Sequence, residues 1–506
     1  MNNISHLKTI FLAASLAATF LVCAQEEKKD VEIINADYLK MLEVNGKKYT
    51  RLIGNVQLKQ EEIYMWCDSA NLDKETNSVD AYGNVRIQQD TVNAFAQTLH
   101  YDGNKKFGIL SGNARLSDTR ATLYTPELFY DVRNKLSYYL NRGRIVKDST
   151  VITSGKGYYY NSTSDVYFKL DVIIKDPDYD LNADSLIYNT QTKISTFTGP
   201  TIITNPQSRI TCSVGWFNSE QDKAIFGKGT IIENSPQKLF ADSLYYERKN
   251  GYGKLYDRFQ WIDSSMGTEL FGYAGEYHEK QRKFTATKFP LLIYKLDKDS
   301  LFLNADTLKS STISEEDTTR IFYAYHHVKM FTKQMQGVCD SLFYSFKDST
   351  FRFYYKPVLW SDNIQMSGDT ITLSIKNKQP EKLSILQSGF IVSPSSKKYF
   401  DQIKGTNVYG YFDSSELRKM DVEGNAESLY FGKNDKGKLI GNNKALSSTI
   451  TMHFKDKKLN SIVFRKKPEA VFTPMKMLTE EQMQLKDFNW QIDRKPASRE
   501  ELIQHP

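Results

Sequence analysis

The sequence predicts an all-β protein, a stack of short antiparallel strands built from repeats of about 29 residues. Three observations predict it. The 506 residues include 31 Tyr and 29 Phe but only 13 Pro, and the mean hydropathy is −0.51. Polar, aromatic-rich and proline-poor chains suit pleated sheets. A Gly-Asn turn ahead of an apolar alternating run recurs at a fixed interval, and a second phrase built on Ala-Asp-Ser-Leu recurs between these turns.

The chain opens with Lys8, the apolar run 10–22, the small residues Cys23 and Ala24, and then the polar Gln25-Glu26-Glu27-Lys28-Lys29. A basic start, a short apolar core and a small-residue exit make a secretory signal peptide. The run is too short to span a bilayer, which takes about 20 residues. Cleavage is expected after Ala24. A lipid-modified Cys23 is the rival reading, and Val22 stands where a lipobox wants Gly, Ala or Ser. No later stretch is apolar enough to cross a membrane as a helix. The net charge of +7 is mild for this length and reads as a solvated surface, with no nucleic-acid partner expected.

The first repeated phrase appears as Gly54-Asn55-Val56, Gly83-Asn84-Val85 and Gly112-Asn113-Ala114, each 29 residues after the last. Gly143-Arg144-Ile145 follows after 31 residues, Asp171-Val172-Ile173 fills the next place without glycine, and Gly199 and Gly227 continue the period. Gly424-Asn425-Ala426 repeats the phrase near the far end. Gly-Asn before alternating apolar residues is a turn leading into a strand. Each repeat is expected to hold two or three short strands stacked on its neighbours.

The second phrase appears in Leu181–Tyr188, Leu239–Tyr246, Leu303–Leu308 and Cys339–Tyr344, with looser copies at Met65–Leu72 and Ala94–Tyr101. Its parity is informative. Leu181 and Ala183 share one strand face, and Leu186 and Tyr188 share a face of opposite parity. All four point inward only if the chain shifts by one residue between them, as at a β-bulge or sheet corner. Asp184 sits at the shift, where its carboxylate is expected to accept bonds from unpaired backbone amides. Cys67, Cys212 and Cys339 occupy the Ala183 slot. Their separation by several repeats puts them beyond disulfide reach of about 7 Å between Cα atoms, so they read as small buried side chains.

Little in the sequence speaks for catalysis or metal binding. His326-His327 is the one histidine pair, and neighbours on a strand face opposite ways. HExxH, GxSxG and Walker patterns are missing. Asp176-Pro-Asp178-Tyr-Asp180 is the densest acidic cluster; paired acids cleave glycosides, but this spacing around Pro177 reads as an acidic turn. Residues 310–319 read as a long polar loop or lobe boundary, and the Lys-rich stretch 433–467 as a solvated face. From Thr479 the tail has helical spacing with Thr479 as cap, and it is expected to form a short helix that closes the stack or docks a partner.

The Gly-Asn-Val turn, its strand and the Ala-Asp-x-Leu-x-Tyr phrase together resemble the repeat of the organic-solvent-tolerance (OstA/LptA-like) family. Residues 32–130 resemble it most, with weaker copies to about residue 345 and degenerate ones to 465. The resemblance implies an elongated, taco-like β-jelly-roll of two facing sheets that is incompletely closed. It implies a periplasmic protein of a Gram-negative cell that carries lipopolysaccharide toward the outer membrane, acyl chains between the sheets. The implied partners are lipopolysaccharide and other transport proteins, including an outer-membrane translocon, joined end to end through edge strands. No cofactor, metal or catalytic residue is implied. The chain departs from a simple bridge in being much longer.

The expected organisation is a signal peptide at 1–24, jelly-roll repeats at 25–310, a degenerate continuation or second β lobe at 320–470, and a tail at 471–506. Under this reading the groove is lined by Met65, Leu72, Ala94, Leu99 and Tyr101 in the first repeats. Leu181, Leu186, Leu239 and Leu244 line it further on. The alternatives are a structural β-scaffold of the envelope that binds no lipid, and a β-helix enzyme that cleaves polysaccharide. A transmembrane barrel is disfavoured, because its strands need about 10 residues of clean alternation.

Overall fold

The computed structural model describes residues 29–503, apart from Asn45, Thr119, Arg120, Lys298, Ser415 and Lys457. The expected signal segment, with Cys23 and Ala24, lies outside the described residues. The chain divides into two compact units, Met1–Ser137 and Tyr138–Pro506.

The strand Lys47–Gln60 shows the plan of the first unit. Its residues 47–53 pair with Tyr38–Val44 on one side and with 69–72 on the other. Its residues 56–60 pair with Glu32–Asn35 and with 63–67. One strand therefore serves two antiparallel sheets. Ile63–Asp73, Ser78–Gln89, Val92–Asp102, Phe107–Ser117 and Thr122–Asp131 repeat the arrangement in succession. We call the sheet holding 56–60 the first sheet and the one holding 47–53 the second. The second unit follows the same plan; Asp165–Lys175, Tyr252–Asp263 and Glu416–Lys433 each cross from one sheet to the other.

Each repeat holds two strands, and many are longer than the sequence suggests, reaching 18 residues in Glu416–Lys433. The difference arises because the backbone turns the corner without losing its ladder. Between residues 136 and 234 the corner often interrupts the ladder, and there the strands are short, as in Gly143–Lys147 and Lys156–Tyr160.

The corner has one recurrent geometry. Gly54 and Asn55 both take left-handed backbone, at φ +78° and +45°; so do Gly83-Asn84, Gly112-Asn113 and Gly424-Asn425. These two residues oppose a single residue of the next strand: Ile53 pairs with Ser69 and Val56 with Cys67, leaving Asp68 alone between them. Two against one is a β-bulge, which bends the strand and raises its twist. Glycine suits the first place because φ is positive there and because the preceding strand's acidic side chain lies against it. A Cβ on Gly54 would sit 2.3 Å from Asp37 Oδ2, and one on Gly83 2.3 Å from Asp68 Oδ2.

The acid slot works differently from the expected capping of backbone amides. Asp37 and Asp68 accept from side-chain amides, Asn55 Nδ2 and Asn84 Nδ2, each at 3.0 Å. Without glycine the corner persists. Leu170-Asp171, His326-His327, Gln387-Ser388 and Lys466-Lys467 all have both residues at positive φ. His327 Nδ1 lies 2.8 Å from Asp306 Oδ2 and His326 Nδ1 3.1 Å from Asp340 Oδ1, so the two rings serve two different corner acids and share no ligand.

The parity shift places apolar residues inward on both sides of each corner. Met65, Cys67, Ala70 and Leu72 are all buried, as are Leu181, Ala183 and Leu186. The three described cysteines are free and buried. Burial raises the thiols of Cys67 and Cys212 to about 11 and that of Cys339 to about 12, which keeps them protonated and inert.

Residues 310–319 hold the polar loop expected there: 313–319 join Thr307–Thr312 to Arg320–Phe331 in a hairpin of the second sheet. Among the described residues the tail's helical structure is confined to short 3-10 turns. The one at Glu480–Met483 starts at Thr479, whose backbone N–H is bonded by the Gln482 side chain in a capping box. Glu480–Met483 is the start expected from sequence, yet the tail continues in extended form, because the sheet beneath supplies partners for its main chain.

Gly83→Ala should destabilise the first unit by about 2 kcal/mol, from left-handed strain and the clash with Asp68. Asp68→Ala in the same chain should recover the clash but not the strain. Thermal melts of the two variants and the double variant check this.

Candidate functional site

Opposite the corners, the hairpin ends of the two sheets face each other across a mouth. In the first unit this mouth is bridged. Tyr101, on the second sheet, donates its hydroxyl to Gln60 Oε1 on the first at 2.5 Å, and Tyr130 donates to Gln89 Oε1 at 2.7 Å. Gln60 Nε2 also donates to the Gly103 carbonyl at 3.0 Å. Lys106 and Glu61 pair across the same gap at 3.0 Å, and Val31 N–H donates to Asn77 Oδ1 at 2.9 Å. The Tyr101–Gln60 bond is buried, and a buried hydrogen bond is costly to break. Burial pushes the Tyr130 phenol up to about 12 and raises that of Tyr101 as well.

Both halves of this bridge belong to the repeat. Tyr101, Tyr130, Tyr159, Tyr188, Phe217 and Tyr246 follow one another at 29-residue intervals, with Tyr277 next, and form an aromatic column of the repeat. The column facing it begins Gln60, Gln89 and continues at the same interval through Asp118, Lys147, Asp176, Asn205, Asn234 and Asp263. From Asp118 on, several of these side chains are shorter and turn back into their own hairpins. Asp176 Oδ1 accepts from Asp178 N–H, Asn205 Oδ1 from Gln207 and Ser208 N–H, and Asp263 Oδ1 from Ser265 and Met266 N–H. A carboxylate or amide satisfied by its own turn has no need of a partner across the gap.

Where these crossing bonds are missing, the second unit holds a cavity of about 760 Å³ between its sheets. Its walls are apolar, with Leu181, Phe197, Ile203, Leu239, Leu244 and Trp261 among them. Phe217, Tyr246 and Tyr277 of the aromatic column line it too. The rim is charged: Asp178, Asp222, Arg248, Glu279 and Arg320. Arg248 pairs with Asp222 at 2.7 Å and reaches toward Asp178 at 4.0 Å. Arg320 Nη1 donates to the Arg282 carbonyl at 2.7 Å. An apolar chamber with a polar rim suits a ligand with an apolar body and a polar end.

The sequence-derived groove residues fall into two groups. Leu181, Leu239 and Leu244 line the cavity. Leu186 is buried in the core around it. Met65, Leu72, Ala94, Leu99 and Tyr101 are packed in the core of the first unit, behind the bridged mouth. The aromatic column was partly visible in the Leu-x-Tyr ending of the second phrase. The facing column was not singled out, although its 29-residue interval is present in the sequence.

The acidic cluster is a turn at the end of the first sheet. Its three carboxylates have separate occupations: Asp176 accepts from Thr150 Oγ1, Asp180 pairs with Lys175 at 2.6 Å, and Asp178 faces Arg248. Among the described residues, no group of three or more His, Cys, Asp or Glu side chains is placed to hold a metal ion.

Residues 28–184 match the family described as OstA-like protein. A solved structure of LptH from Pseudomonas aeruginosa, the LptA homologous periplasmic component of a lipopolysaccharide transport device, is 13% identical. It covers 28% of this chain and 95% of its own, with a TM-score of 0.22. No curated protein matches the chain. The family resemblance read from the repeated turns is borne out by this match over the N-terminal part of the chain.

The tyrosine bridges carry a pH signature. The folded Tyr130 phenol titrates near 12, against about 10 when unfolded. Its contribution is therefore complete below pH 10 and is lost as the pH rises from 10 to 12. Thermal melts across pH 9–12 should show this loss, and Tyr130→Phe should make it shallower.

Proposed function

We propose that this chain, which matches the OstA-like family over residues 28–184, carries lipopolysaccharide across the periplasm. The acyl chains lie in the slot between the two sheets and the sugars stay outside. The observation that carries this reading is the 760 Å³ apolar cavity, open at the mouth and walled by repeated inward residues. Each methylene moved from water into such a slot is worth roughly 0.8 kcal/mol. Leu181, Leu239 and Leu244 make direct acyl contacts, and Arg248 and Arg320 at the rim face the anionic head group. Leu186 backs the slot from the core around it. Met65, Leu72, Ala94, Leu99 and Tyr101 line the corresponding interior of the first unit by itself, reached when the Gln60–Tyr101 and Gln89–Tyr130 bonds part. The protein does no chemistry; it shields a lipid that is driven from elsewhere.

The strand Tyr38–Val44 suits the proposed end-to-end pairing. It is laddered to Lys47–Gln60, and Tyr38, Leu39 and Met41 are exposed, Met41 to 80%. An exposed edge of this kind is a liability unless another strand adds to it. A transport partner in the periplasm supplies that strand.

A second reading has an observation in its favour. The first unit has a core of buried apolar side chains and a bridged mouth, which suits a structural scaffold. Binding of purified lipopolysaccharide separates the two. Leu239→Arg, or Ala224→Trp to fill the cavity, should weaken binding at least tenfold while the melting temperature stays within a few degrees. Undiminished binding by both folded variants would count against the slot and favour the scaffold.

A further inference from the structure

The tail, residues 475–503, runs back across the outer face of the first sheet in the second unit, and three buried amides hold it by its main chain. Gln402 Nε2 donates to the Met483 carbonyl at 3.0 Å and its Oε1 accepts from Leu485 N–H at 2.8 Å. Gln365 repeats the arrangement six residues further along. Its Nε2 donates to the Asn489 carbonyl and its Oε1 accepts from Gln491 N–H, both at 2.7 Å. Asn442 Nδ2 donates to the Gln482 carbonyl at 2.6 Å. Each glutamine amide bonds the C=O of one tail residue and the N–H two residues on, as a neighbouring strand would. Gln365 and Gln402 are both 0% exposed, so each needs these partners or water in their place.

The floor between the amides is apolar on a face that would otherwise meet solvent. Phe390, Val392, Leu429 and Phe431 are buried there with Leu485 of the tail. Phe400 packs against Phe488 and Trp490, with ring centroids 5.4 and 5.2 Å away. The tail thus presents apolar residues at 483, 485, 488 and 490, and most of its other residues are exposed. Lys404 pairs with Asp487 at 2.7 Å and Lys329 with Glu501 at 2.9 Å. The last strand, Glu469–Pro474, stays uncovered, with Val471 and Phe472 exposed, so the tail does not cap the end of the stack.

We infer that this face is a docking groove for an extended peptide. Its resident ligand is the chain's own C-terminal segment, which the same segment of a second copy, supplied in trans, displaces. Recognition is by main chain through Gln365 and Gln402, with the Phe400 clamp and the Leu485 pocket setting the side-chain pattern. The tail is tethered beside the groove, at high effective concentration, so it competes with any segment supplied in trans.

The test uses the full-length chain and a fluorescent synthetic peptide of the native 475–503 sequence. Leu485→Glu with Trp490→Ala weakens the resident tail without touching the sheet. Anisotropy should show the peptide binding this variant at least tenfold more tightly than the parent. Adding Gln365→Ala and Gln402→Ala should then lower the affinity at least tenfold. A folded, tail-weakened chain that does not bind the peptide overturns the groove. Binding indifferent to both glutamines overturns main-chain recognition. Should the tail variant fail to fold, a protease site between Pro474 and Met475 of the parent serves instead. The labelled peptide should exchange with the cut tail over a day, and no exchange overturns the proposal.

Discussion

The two-residue left-handed corner is the constraint on which the rest of the structure depends. A strand that serves two sheets must bend sharply and still keep its hydrogen-bond register on both sides. Two residues at positive φ opposing one residue of the next strand meet that need. Because the corner recurs about every 29 residues over much of the chain, inward positions stay aligned from repeat to repeat. The aromatic column and its facing polar column follow from that alignment. Losing one corner would shift the faces of every residue beyond it within the strand.

The same alignment makes the difference between the two units chemical rather than topological. Glutamine at 60 and 89 is long enough to meet a tyrosine hydroxyl across the mouth. Aspartate or asparagine at 176, 205 and 263 is shorter and is taken by its own turn. A change of side-chain length at equivalent positions therefore separates a bridged mouth from one that opens on a chamber of about 760 Å³. The outer face follows a similar rule. There glutamine again reaches across a gap, in this case to the main chain of the tail.

The corners were legible where glycine and asparagine mark them, at 54, 83, 112 and 424, because those residues adopt left-handed backbone at little cost. At Leu170-Asp171 only the period marked the place, and at His326-His327, Gln387-Ser388 and Lys466-Lys467 nothing did. There the ladders on both sides impose a conformation that the residues would not choose locally. Parity around Leu181, Ala183 and Leu186 read correctly, since burial follows strand alternation. The acid slot was found, but its partner was not, because a contact to Asn55 or Asn84 joins strands whose register only the fold reveals. The tail's helical spacing misled for the same reason: Gln365 and Gln402 lie some 80 to 130 residues upstream and offer an extended main chain its partners. Of the groove residues, sequence marked inward positions and could not tell packed ones such as Leu99 from cavity-lining ones such as Leu244.

The most direct test of the central claim, that the slot takes lipid, is photocrosslinking in cells with a photoreactive residue at Leu244 and, as an outward control, at Lys74. The account predicts lipopolysaccharide adducts at Leu244 and none at Lys74. An exported, folded protein with no adduct at Leu244 would contradict it.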